Sequence, residues 1–154
     1  MLRGLSIASL CFLFALMFIG GYVSASGVGL TCPHWPLCPA GIVPMSDFII
    51  EYIHRTVAAT TALLVILTMI FTLKSKHSPI GMKMTSIIAS GAAVGQVSLG
   101  GVVIVEQLHA TLVTTHLGLG LVMFSMTLMT AMYAYRLPSK GTEKRNTSLF
   151  RTIK

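Results

Sequence analysis

Charge is what this 154-residue chain has least of. Only 10% of its residues are Asp, Glu, Lys or Arg, and four of those are acidic: Asp47, Glu51, Glu106 and Glu143. So sparse a set cannot solvate a globular surface of this size, which excludes an ordinary soluble domain. Cysteine is scarce too, with three residues, so the chain is no disulfide-dense scaffold. A third absence is local. The connections at residues 25–47 and 106–109 contain no Lys or Arg.

Four long apolar runs fill the space the charges leave, at about residues 4–24, 48–73, 84–105 and 110–135. Each reaches or exceeds the ~20 residues an α-helix needs to cross a hydrocarbon core. Backbone polar groups in lipid must satisfy one another, so these runs are expected as helices. The first is preceded by Arg3 and followed by "SASG", as a secretory leader would be. Its apolar stretch is longer than such a leader carries, and it is expected to be a true span.

The predicted fold is therefore an all-α membrane protein, a bundle of four transmembrane helices over residues 1–137 with a polar, basic tail at 138–154. Arg3, then Lys74, Lys76 and Lys83, then Arg136 and the tail residues Lys140, Lys144, Arg145, Arg151 and Lys154 alternate with the connections that lack Lys and Arg. The positive-inside rule puts the N and C termini in the cytoplasm and residues 25–47 outside, in a multi-pass protein of the cell membrane. The net charge of +7 then reads as topology with an attraction to anionic membrane lipid, and calls for no nucleic-acid partner.

On that outer side lies "GLTCPHWPLCPAG", residues 29–41. Its prolines exclude a helix, and Cys32 and Cys38 are close enough in sequence to be bridged in a compartment where disulfides persist. A ring so short adds only about 2 kcal/mol, a modest brace. The alternative is a redox-active pair, because short exposed disulfides are the reducible kind. Cys11, within the first span, is expected to pack as a small hydrophobe.

Ionisable residues inside the membrane are costly and mark candidate sites. "DFIIEYIHRT" opens the second span with Glu51, His54 and Arg55, and "HATLVTTHLGLG" opens the fourth with His109 at the rim and His116 deeper. Both helices run inward, so His54 and His116 are expected at a shared depth, roughly 9–11 Å below the outer boundary at 1.5 Å per residue. Two imidazoles at one depth suit a planar ligand or a metal in the bundle core. No further ligand stands at this depth for a tetrahedral zinc, whereas haem iron needs only one or two axial histidines. Glu51 and Arg55, four residues apart, are equally readable as a simple ion pair. His34 and His77 fall in loops. In the third span, small residues such as Gly91 and Gly95 offer close helix approach, and Gln96 is a polar outlier able to bond across the bundle.

Taken together, "GGYVSASGVGLTCPHWPLC" (20–38), "EYIHR" (51–55), "GQVSLGGVVI" (95–104) and "TTHLGLGL" (114–121) resemble the haem A synthase family, in the family's order and over nearly the whole chain except the tail. His34 stands where an Asp is usual, and the chain corresponds to one four-helix half of a family whose familiar members have two. The resemblance implies oxidation of a methyl group of haem O to a formyl group, giving haem A for terminal oxidase biogenesis. It implies His54 and His116 as haem iron ligands, with haem b or the haem O substrate between them. Glu51 would be the catalytic group handling protons, Arg55 would balance a propionate, and the cysteine loop would cap the site or pass electrons. Implied partners are haem O, haem O synthase, an electron donor and a second copy of the chain in a homodimer or higher oligomer. Two other classes fit parts of the pattern: a dihistidine cytochrome b that only relays electrons, and a membrane thiol oxidase.

Overall fold

A computed structural model of the chain describes residues 1–32 and 49–137. Four helices carry these residues: α1 (Leu2–Ser26), α2 (Ile49–Lys74), α3 (Ile80–Val105) and α4 (Ala110–Arg136), with a single 3₁₀ turn at Val28–Leu30. All four are long and apolar enough to cross a membrane. They overrun the apolar runs slightly, because lipid thickness does not end a helix. Backbone chemistry does. Gly27 adopts the left-handed conformation, φ 74°, that closes α1, and Pro79 at the N-cap starts α3 four residues before the expected boundary.

Connections at 75–79 and 106–109 force antiparallel neighbours. Each helix packs on the next, and α4 packs back on α1, so the helices form a closed up-down-up-down ring. At the end where α1 begins, the ring is closed by Arg3. Its guanidinium donates to the carbonyls of Ala134, at 3.2 Å, and Leu137, and lies 5.9 Å from the centre of the Tyr135 ring. These carbonyls lie at the C-terminal end of α4, where a cation is favoured. Arg3→Ala is expected to lower stability by about 1 kcal/mol, read as an earlier melt in mild detergent.

Packing is uneven along the bundle. Leu13, Val65, Ala89, Ala92, Ala93 and Met123 form the buried core, with Leu16, Met17 and Phe124 against it. Toward the end where α1 begins, hydroxyls meet between helices: Ser9 Oγ lies 3.0 Å from Thr68 Oγ1, and Thr130 Oγ1 lies 2.8 Å from Thr85 Oγ1. Lipid offers these groups no water, so they bond to one another and to backbone carbonyls.

The other half is different. α1 buries nothing after Leu13, α2 nothing between Glu51 and Thr61, α3 nothing between Ala93 and Gly101, and α4 nothing before Gly120. Two sequence expectations are corrected here. Cys11 lies exposed on the outside of α1 rather than packed among helices. Gly91 has no atom within 4 Å of where a Cβ would sit, so the close glycine contacts of α3 are made by Gly81, Gly95 and Gly100.

Candidate functional site

The sparsely packed half holds every sequence-flagged ionisable residue of α2. Glu51 is 2% exposed, and its carboxylate is fully engaged. Oε2 accepts from the Thr31 hydroxyl at 3.0 Å and from the Cys32 backbone N–H at 2.8 Å. Oε1 lies 2.5 Å from Arg55 Nη2, one helical turn on, and the same Nη2 donates to the Cys32 carbonyl at 2.9 Å. The ion pair read from the i, i+4 spacing is therefore also a clip. It holds the chain leaving α1 against α2 through both polar groups of the Cys32 backbone. Cys32 itself is wholly buried, while Cys38 and His34 lie outside the described residues.

His54 stands five residues into α2 and His116 six residues into α4. At 1.5 Å per residue these positions are about 8 and 9 Å along their helices. Both are half-buried. Each ring faces a glycine of a neighbouring helix. A Cβ on Gly20 of α1 would lie 3.0 Å from His54 Cε1, and one on Gly100 of α3 would lie 3.5 Å from His116 Cε1. Glycine at position 20 is thus what gives the His54 imidazole its room. Both Nδ1 atoms are buried, and among the described residues neither has a hydrogen-bond partner.

α3 touches His116 a second time. Gln96 Nε2 donates to the His116 carbonyl at 2.8 Å, the cross-bundle bond expected of that polar outlier. At the far end of α3, Gln107 and Leu108 take positive φ values, 49° and 61°, in the tight turn to α4. Leu108 reaches over to Gly29, where a Cβ would lie 3.2 Å from its Cδ1, and covers that end of the bundle. His109 is exposed at the start of α4, and His77 is exposed in the α2–α3 turn. Neither belongs to the site. Gly100 is one of the small residues of the third span, whereas Gly20 and Gly120 are contact positions that the sequence did not single out. Their only signal was an interior helical glycine at the level of a membrane histidine.

Among the described residues, no three His, Cys, Asp or Glu side chains converge as a metal cage requires. A metal between these imidazoles would need its remaining donors from elsewhere, and a macrocycle supplies four in one plane. Two buried nitrogens without partners among the described residues, and glycines against both rings, fit such a group.

Comparison with known proteins agrees. The chain is 28% identical over 142 residues to "Heme A synthase" of Bacillus licheniformis, covering 90% of this chain and 47% of that protein. It is 29% identical over 134 residues to "Heme A synthase" of Exiguobacterium sibiricum, covering 82% of this chain and 45% of the relative. A "Heme A synthase" of Staphylococcus aureus is 29% identical over 120 residues, 76% of this chain and 39% of the relative. The chain thus spans less than half the length of these curated relatives. Its match to the profile described as cytochrome oxidase assembly protein covers residues 45–153, taking in both histidine-bearing helices. On that match the chain belongs to the COX15-CtaA family of cytochrome oxidase assembly proteins.

Proposed function

We propose that this chain acts as a haem A synthase unit, oxidising the methyl group of haem O to the formyl group of haem A. The observation that carries the reading is the pair of half-buried imidazoles, His54 and His116, at matching depths on α2 and α4, each with a buried Nδ1 that has no partner among the described residues. His54 and His116 would hold the haem iron, and the bound haem would supply the redox chemistry. Gly20 and Gly100 leave the rings room, and the surrounding apolar helices keep bulk water from the reacting edge. Leu108 and the clipped Thr31–Cys32 segment close the site at its outer end. Arg55, held by Glu51, would balance the charge of a propionate. Glu51 has two roles in this reading: it seats the outer segment and handles a proton released at the methyl group. With the termini cytoplasmic, the site opens toward the outer face of the cell membrane.

The test is direct. Purified protein incubated with haem O, a reductant and dioxygen is expected to yield a formyl haem, identified by its pyridine haemochrome spectrum and mass. Stable low-spin haem with no conversion would assign the chain to a dihistidine cytochrome b.

Cys32 and Cys38 are proposed as a bridge that caps the site. Non-reduced peptide mass spectrometry should find them joined, with Cys11 free. Replacing both with serine should leave partial activity, since so short a ring contributes only about 2 kcal/mol. An obligatory electron relay would instead lose turnover with haem retained.

A second copy is proposed to complete the assembly. Most homo-oligomers close by two-fold symmetry, and two parallel copies would match the length of the relatives. Native mass spectrometry in mild detergent should show a dimer or a higher cyclic oligomer. A strictly monomeric protein that converts haem O would show that one four-helix unit suffices.

A further inference from the structure

We propose that Gln96 is a positioning residue for the His116 imidazole, acting through the backbone of α4. The inference rests on His116 being a haem ligand. In an α-helix the carbonyl of residue 116 accepts the N–H of residue 120, which leaves one lone pair free. Gln96 Nε2 takes it, at 2.8 Å. The contact exists because position 120 is glycine. A Cβ there would lie 2.8 Å from the same Nε2 and drive the amide away.

One turn further along α3, Gly100 faces the His116 ring. α3 therefore meets residue 116 twice, at its backbone through Gln96 and at its ring through Gly100. Rotation of α4 about its axis is restrained at the residue whose ring must be aimed. Nothing comparable holds the other histidine: among the described residues no side chain donates to the carbonyl of His54.

Simple packing does not account for the amide. Its Oε1 is buried with no partner among the described residues, and burying an unsatisfied polar atom is unfavourable. A Leu or Met would fill the space without that penalty. What Gln96 adds is its donor. Outer partners of this kind orient a metal ligand and tune the metal. The mutual orientation of axial imidazole planes is in turn read directly in the g-values of ferric low-spin haem.

The experiment uses the full chain loaded with haem b, as wild type, Gln96→Met, Gly120→Ala, Gln96→Ala and the Gln96→Ala/Gly120→Ala double variant. Gln96→Met and Gly120→Ala are each expected to stay folded and low-spin. Each should shift the g-values and release haem to apomyoglobin about tenfold faster, the lower end for loss of an outer partner. In the Gln96→Ala background Gly120→Ala should add little, because its new methyl no longer meets the amide. Wild-type g-values and release rate in Gln96→Met would overturn the proposal, and so would effects that multiply in the double variant. Failure of both Gln96→Met and Gly120→Ala to fold, seen by circular dichroism and detergent gel filtration, would also overturn it, by making Gln96 a framework residue. His116→Ala is the separate control. Low-spin haem surviving there would remove the ligand on which the inference stands.

Discussion

His54→Ala and His116→Ala are each expected to abolish the low-spin haem signature. Loss of a partner to a ligating histidine already costs 10–100-fold in metal affinity, so loss of the histidine itself should lower haem occupancy by at least about tenfold. The two imidazoles stand at matching depths on different helices, with buried Nδ1 atoms that no side chain among the described residues engages. Removing one leaves the opposite ring facing a gap that no other described histidine can fill. His77→Ala, in the exposed turn between α2 and α3, should match wild type in haem content and spectrum. Full haem binding with an unchanged spectrum in both site variants would defeat the ligand assignment. Gly20→Ala is a milder probe of the same geometry. Its methyl would press on His54 Cε1 at 3.0 Å and should tilt the ring without deleting it.

The second large effect is expected at Glu51. Glu51→Ala should destabilise the fold by about 3–5 kcal/mol, the range for breaking a buried ion pair from one side. Three donors converge on this carboxylate, from Thr31, Cys32 and Arg55. Without it, Arg55 keeps the Cys32 carbonyl but loses the Glu51 carboxylate, and the Cys32 N–H loses the same acceptor. Thermal unfolding and protease sensitivity near Thr31 would measure the loss.

A charge swap, Glu51→Arg with Arg55→Glu, is not expected to restore the fold. An arginine at 51 would point donors at the donors of Thr31 and Cys32. Glu51→Gln separates the two roles, because it keeps the shape and one acceptor. At a temperature where it remains folded with haem bound, conversion of haem O is expected to stall. Conversion at the wild-type rate per folded molecule would assign Glu51 to seating the Thr31–Cys32 segment alone.

Much of this architecture is local in origin and therefore legible along the chain. Four apolar runs of sufficient length demand four helices, because a backbone in lipid has no other partner. Depth along a straight helix is a matter of counting, so the level of His54 and His116 follows from their distance to the start of each span. The Glu51–Arg55 pair follows from an i, i+4 spacing on one helix.

Rotation of each helix about its own axis is another matter. Lipid tails are as apolar as a protein core, so a membrane helix is hydrophobic all round and its pattern names no inward face. Only the assembled bundle shows that Gly20 and Gly100 face the imidazoles while Gly91 faces open space. The same holds for Cys11, which falls on the outside, and for Gln96, which finds the His116 carbonyl through the notch at Gly120. The partners of Glu51 at Thr31 and Cys32 are likewise some twenty residues away, and no local rule reaches them. Length and spacing set the helices and the level of the site. Interhelical packing decided which atoms meet there, because side-chain contacts between helices, rather than hydrophobic contrast, orient helices that share an apolar solvent.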